Sequence, residues 1–231
     1  EADLTTYLFA CDLSIDELKR NNFKGALDYI RWGARQKTVV RQKSSGGVLW
    51  PNAPSVQGRA QWYSVDLIPP ADFVCNRFFN ERFFFGYAEF PIIEDQTFYG
   101  CTLHGSHKSL RLEQIALLNS TIQYLLVELL GRVGLGLGVL QYATYEMGQV
   151  LALDAKSFPS ESRRDLRTSF HRLSSRTILP IFQEVNSDDR RALDEIVFDS
   201  IGLPKRERNE VYDELARLVE MRLKKAAGSS E

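Results

Sequence analysis

The chain reads Ala116-Leu117-Leu118-Asn119-Ser120-Thr121, continues through Tyr124 and Glu128, and enters Gly131-Arg132-Val133-Gly134-Leu135-Gly136-Leu137-Gly138-Val139-Leu140. Leu112, Ile115, Ala116, Ile122, Leu126 and Leu129 recur at helical spacing, with Asn119 and Ser120 interrupting the apolar face. The pattern predicts a helix over 110–130 that the glycines end. Gly134, Gly136 and Gly138 predict a tight reversal after it, with at least one of them at positive φ, where a Cβ is costly. Arg132 is then held by the backbone at the turn, toward a phosphate or a partner carboxylate.

Working outward, the stretch before this helix changes period. Trp62-Tyr63-Ser64-Val65, Asp72-Phe73-Val74-Cys75, Arg82 to Tyr87 and Thr97 to Leu103 are aromatic and β-branched runs separated by Pro, Asn, Asp and Glu. They predict a twisted, mostly antiparallel sheet packed on the helix, with the aromatic rings in the core in preference to a base-stacking surface. After it, Val150 to Asp154 reads as an apolar strand. Leu193, Ile196, Val197 and Ile201 form one stripe and Val211, Leu215, Leu218, Val219 and Leu223 another, with Gly202 and Pro204 between them. That is a C-terminal helical hairpin, so the class is α+β. At the other end, Ser14 to Ala34 reads as a helix with Ser14 as N-cap and Glu17 completing a capping box.

The order of a Leu-Asn-Ser helix, a Gly-Arg-x-x-Gly-x-Gly-x-Gly-x-Leu turn and the 150–154 strand resembles the C-terminal target-recognition domain of N6-adenine DNA methyltransferases of the Taq-like and type IIG restriction-modification kind. The likeness extends to Asn22 through Ala34, which is similar to the helix that opens such domains, and to Trp62–Val65, Phe73–Arg77 and Gln96–Gly100 as successive strands. Arg191 to Leu203, Glu207 to Tyr212 and Arg222 resemble the closing helical tail. The resemblance implies a domain at 1–155 that reads double-stranded DNA, a basic linker or loop at 156–186 and the hairpin at 187–231. It implies that S-adenosylmethionine and the catalytic residues belong to an N-terminal methyltransferase domain outside this sequence.

The sequence itself supplies neither part of that chemistry. Holding an adenine amino group takes an Asn/Asp-Pro-Pro-Tyr/Phe motif; the Pro-Pro here, Ile68-Pro69-Pro70-Ala71, has neither the polar residue before it nor the aromatic after it. The glycines at 134, 136 and 138 follow a helix and not a strand, which is the wrong context for a nucleotide loop. Cys101, His104 and His107 lie at three-residue intervals without an apparent fourth zinc ligand, so a polar turn is the preferred reading. Glu94-Asp95 reads as a hairpin turn and Asp188-Asp189 as the first turn of a helix, where negative charge is favourable. No catalytic, cofactor or metal residue is assigned.

The chain has 231 residues, 44% of them hydrophobic, and a net charge of -1. That suffices for one sizeable core or a core with an appendage. The run from Leu125 to Leu140 is interrupted by Glu128 and Arg132, so no membrane span is expected. Cys11, Cys75 and Cys101 are odd in number and widely spaced, which favours reduced thiols and a cytoplasmic location. The opening Glu1-Ala2-Asp3-Leu4 lacks an initiator methionine, as in a fragment of a longer protein or a processed end.

The near-zero total hides segregated charge. Lys19, Arg20, Lys24, Arg31, Arg35, Lys37, Arg41 and Lys43 meet only Asp28 between positions 19 and 43, and a second basic stretch holds Lys156, Arg163, Arg164, Arg167, Arg172 and Arg176. Local cationic density is what phosphate binding needs. With the resemblance, the expected DNA contacts are Arg35, Lys37, Arg41, Lys43 and Ser44 on the loop after the first helix, Lys108 in the polar turn, and Arg132. The competing reading is a protein-interaction module that docks a partner through the hairpin and basic loops.

Overall fold

A computed structural model describes residues 7–38, 47–65, 68–90, 93–133 and 138–228. These fall into two compact units that divide between Ile68 and Pro69, inside the stretch expected to be one recognition domain.

The first unit begins with the predicted capping box. Ser14 Oγ accepts from the Glu17 N–H, and the Glu17 carboxylate takes the Ser14 N–H at 2.8 Å, starting helix α1 (Ile15–Arg20). The single helix expected over 14–34 is two, because Asn21-Asn22 breaks it. Asn22 sits at φ 57°, a left-handed conformation that asparagine tolerates better than most residues, and α2 (Lys24–Gly33) follows. Leu18, Leu27 and Ile30 then bury against Tyr63, whose hydroxyl donates to the Leu13 carbonyl at 2.8 Å. Trp62–Val65, expected as a strand, is turn and coil. Gly33 is required by packing, since a Cβ there would stand 2.8 Å from the Trp62 ring.

In the second unit the aromatic runs do form antiparallel strands, but short ones in two three-stranded sheets. The first has the order β3 (Phe85–Gly86), β1 (Phe73–Asn76), β4 (Phe98–Cys101), and the second β2 (Phe78–Phe79), β6 (Leu140–Gln141), β5 (Arg132–Val133). Strand β1 is buried along its whole length, and β4 lies against it with Phe73 opposite Cys101 and Cys75 opposite Tyr99. Phe73, Phe79, Phe83 and Phe85 join Ile115, Leu117, Tyr124 and Val127 in one core. The preference for core packing over a stacking surface therefore holds for these rings.

The helix expected over 110–130 is α3 (Arg111–Leu118) and α4 (Thr121–Leu130). The break falls at Asn119-Ser120, where Ser120 caps α4 and Asn119 works across the fold. Its Oδ1 accepts from the Phe85 N–H at 3.1 Å, and its Nδ2 donates to the Phe85 carbonyl at 2.8 Å. A side-chain amide thus stands in for a neighbouring strand at the end of β3. The expected strand over 150–154 is absent for a similar reason. Gln123 and Gln114 donate to the Leu151 and Leu153 carbonyls at 3.1 and 2.8 Å, satisfying by side chains what a ladder would have satisfied.

After a short helix α5 (Thr144–Met147), the segment expected as a basic linker contains the fifteen-residue helix α6 (Ser160–Ser174), with Leu166, Phe170 and Leu173 buried against α3 and α8. A one-turn helix α7 (Ile181–Glu184) precedes the hairpin α8 (Asp188–Ile201) and α9 (Lys205–Gly228). Gly202 ends α8 at φ 71°, the left-handed position that glycine fills without strain. Helix α9 packs on α4.

Buried ions hold these helices together. Arg190 donates to the Asn119 carbonyl and to Glu184 Oε2 at 3.2 Å, while Arg176 bridges Glu184 at 2.8 Å and Asp189 at 2.6 Å. Burial pushes the Glu184 carboxyl up, but the Arg176 hydrogen bonds and the Arg190 charge outweigh it and hold it below the usual range. Hydrogen bonds from Arg176 hold Asp189 low as well. Asp194 takes the Thr121 N–H and hydroxyl at 2.7 and 2.6 Å, yet its complete burial still raises it. Farther along, the Arg222 and Glu128 side chains are 4% and 5% exposed and meet at 2.7 Å, and Arg222 also donates to the carbonyls of Gly138 and Asn80. None of the described helices is long and apolar enough to cross a membrane.

Candidate nucleic-acid interface

At 100° per residue, Leu27, Ile30 and Gly33 place one face of α2 inward, leaving Tyr29 and Trp32 on the other. Both are 49% exposed. Their rings stack at 5.4 Å with 25° between planes, Phe9 leans on Tyr29 at 4.9 Å, and Trp50 meets Trp32 edge-on at 5.5 Å. Half-exposed rings on a helix with an inward alternative are held out by neighbours, here an aromatic row that fixes them at small entropic cost.

Cations flank this row. Lys24, Arg31, Arg35 and Lys37 are all exposed. Arg31 shares its charge with Asp28 at 3.0 Å on the surface, where such pairs are weak. Among the described residues no ion pair engages Lys24, Arg35 or Lys37. Between α1 and α2 an open groove of about 350 Å³ is lined by Lys19, Asn22, Lys24, Leu27, Asp28 and Arg31.

The expected DNA contacts distribute unevenly. Arg35 and Lys37 lie at the end of α2 beside the aromatic row. Arg41, Lys43 and Ser44 lie outside the described residues, on a segment whose two ends are clasped: Thr38 N–H donates to the Val48 carbonyl at 2.8 Å, Trp50 N–H to Gln36 at 3.0 Å, and Lys37 bridges Leu49. Lys108 is exposed on a tight turn over Gly105–Leu110. Arg132 is half exposed in β5 and paired within the chain with Glu146 at 2.7 Å. The reversal after it contains Gly138 at φ 70°, as expected of at least one glycine there; Gly134 and Gly136 lie outside the described residues.

The second basic stretch is divided: Lys156, Arg164 and Arg172 are exposed, whereas two of its arginines meet carboxylates folded against them. Arg167 is bonded to buried Glu113, and Arg176 is committed to Glu184 and Asp189. His107 bonds Asp154 at 3.1 Å, and among the described residues no group of His, Cys, Asp and Glu is placed to hold a metal. The thiols of Cys11, Cys75 and Cys101 are free.

Sequence reasoning missed Tyr29 and Trp32. The available signal was their i, i+3 spacing off the Leu27–Ile30 face, which places two large rings where a solvated helix would carry polar residues. No protein-family model, curated protein or solved structure matches the chain.

Proposed function

We propose that this chain is the duplex-DNA-reading portion of an adenine-specific DNA methyltransferase of a restriction-modification or related defence system, with unit one supplying the phosphate contacts. The observation that carries the reading is the row of exposed cations at Lys24, Arg31, Arg35 and Lys37 on and just after α2. Phosphate contacts of this kind position a protein on the duplex, and side chains such as Lys43 and Ser44, close by in sequence, would then meet base edges. Lys108 and Arg132 are the contacts assigned in unit two. The order of family-like segments along the sequence supports the methyltransferase parent, whose S-adenosylmethionine site and catalytic groups would reside in another domain. A cytoplasmic location goes with that role.

Binding to a 20-base-pair duplex, followed by anisotropy across a salt series, tests it. Affinity is expected to fall with salt as counterions are released, and Lys24→Ala/Arg35→Ala/Lys37→Ala should weaken binding and flatten the slope by about one for each phosphate no longer neutralised. Lys224→Ala/Arg206→Ala should leave both unchanged. Equal losses from the two sets would remove this face from the assignment; no salt-dependent binding would favour the protein-docking alternative. Incubation with labelled S-adenosylmethionine and DNA should transfer no label.

A further inference from the structure

The aromatic row on α2 is more than phosphate positioning requires. A duplex covers the faces of its bases by stacking, so a half-exposed ring has nothing to gain from a paired helix except at an end or a gap. Unpaired bases offer free π-faces, and an aromatic surface beside cations satisfies both halves of a single strand.

The geometry of unit one meets that description in three respects. Tyr29 and Trp32 are near-parallel at 25° and each is half in water, so a contiguous aromatic patch reaches solvent. Phe9 and Trp50 brace the pair from either side, so it is set before a ligand arrives. Position 25 projects between the directions of Tyr29 and Trp32 when the helix is viewed down its axis, and it is a glycine whose missing Cβ would meet nothing within 4 Å. The helix surface one turn before Tyr29 is therefore open. Lys24 precedes that gap in α2, and Arg35 and Lys37 follow the helix, so the chain carries cations on both flanks of the rings.

We infer that the Tyr29–Trp32 face binds unpaired nucleobases of single-stranded DNA, with Lys24, Arg35 and Lys37 on the accompanying phosphates. The inference rests on the DNA-binding reading above and adds a ligand that reading does not name. It requires a preference for bases that charge alone cannot produce.

Two probes of equal charge isolate it: a fluorescein-labelled thymidine 12-mer and an abasic 12-mer with the same number of phosphates. The full chain should bind the thymidine strand at least about tenfold more tightly, since each stacked base adds a favourable contact that the abasic strand lacks. Tyr29→Leu/Trp32→Leu should bind the two strands alike, at the wild-type affinity for the abasic strand. Trp32→Phe keeps a ring and should keep most of the preference. Gly25→Met fills the open space while raising helix propensity, so it should abolish the preference without the risk of unfolding attached to the double variant.

The cation variant should lose affinity for both strands in proportion. Equal wild-type affinity for the two probes, with salt-dependent duplex binding intact, would overturn this inference and leave the DNA-binding reading standing. Binding to neither probe nor duplex would overturn both. Retention of the preference in the double-leucine variant or in Gly25→Met would place the bases elsewhere on the molecule and overturn the site.

Discussion

The arginines paired inside unit two and the cations along α2 of unit one make a contrast. In unit two Arg176, Arg190, Arg208 and Arg222 are turned inward or pinned along helix surfaces, each engaging carboxylates of another turn or helix. In unit one Arg31 meets a single surface carboxylate and Arg35 meets none among the described residues. The difference follows from the size of the core. Unit two buries a continuous cluster that runs from Phe73 to Val219, and α3, α4, α6, α8 and α9 converge on it with polar termini that must be satisfied. Unit one has Leu18, Leu27, Ile30 and Tyr63 with a few partly buried neighbours, so its cations have no interior to enter. Basic density along a sequence is therefore no measure of free charge by itself: Arg167 and Arg176 meet carboxylates folded against them, whereas Lys24, Arg35 and Lys37 are in no ion pair among the described residues.

The largest effect that would sharpen this contrast is expected at Arg222. Arg222→Met removes a guanidinium from a buried pair and leaves Glu128 charged, without a cation, beside the Gly138 and Asn80 carbonyls. Breaking such a pair from one side costs about 3–5 kcal/mol, which should appear as a large fall in melting temperature of unit two. A loss below about 1 kcal/mol would mean that water replaces the guanidinium and that the pair is not structural.

Gly138 comes next. It combines φ 70° with crowding, since a Cβ would stand 3.0 Å from the Leu223 side chain and 3.3 Å from its Cα. Gly138→Val should destabilise by about 1–3 kcal/mol through backbone strain and displacement of α9. A melting temperature matching the parent would show that the reversal is not rigid.

These two sites also show how far the sequence could be read. The hairpin was legible because its stripes repeat at 3.6 residues and Gly202 stands where a left-handed cap is needed, all local information. The glycine reversal was legible for the same reason. The Asn119-Ser120 break depends on Phe85, thirty-four residues away, and no local pattern carries that. Helix α6 left a trace, Leu166, Phe170 and Leu173 at i, i+4 and i+7, which its serines and arginines hid. Its face is buried by α3 and α8, so tertiary packing supplies what weak amphipathicity does not. At the candidate site the cations were legible by type, whereas the exposure of Tyr29 and Trp32 was not, because aromatic residues are usually core.

Acid should act on unit two in a way that follows from its ion pairs. Glu184 and Asp189 have folded values below their unfolded ones near 4, so their contribution is fully present above that range and is lost as the pH falls through the depressed values. Asp194, raised by burial, works in the opposite sense and recovers stability as it protonates. Melting from pH 6 to pH 3 should therefore show a net loss that shrinks in Arg176→Met and steepens in Asp194→Asn. An unchanged slope in Arg176→Met would assign the acid loss to other carboxylates.

The smallest effect is the most diagnostic for the comparison. Lys24→Ala/Arg35→Ala/Lys37→Ala removes three charges, as many as would collapse unit two if taken from its interior, yet should change the stability of unit one by less than about 0.5 kcal/mol. The contributions also oppose one another. Lys24 opens α2, where a cation faces the positive end of the helix dipole and its loss is mildly favourable, whereas Arg35 and Lys37 follow the C-terminal end and their loss is mildly unfavourable. No buried group is left without a partner, because none of the three has an ion-pair partner among the described residues. Thermal melting with and without duplex at a fixed concentration separates the outcomes: the ligand-free curves should superimpose, and the parent should gain more stability than the variant when DNA is added. If the ligand-free variant melts well below the parent, these cations hold unit one together as the arginines hold unit two, and the contrast between the units fails.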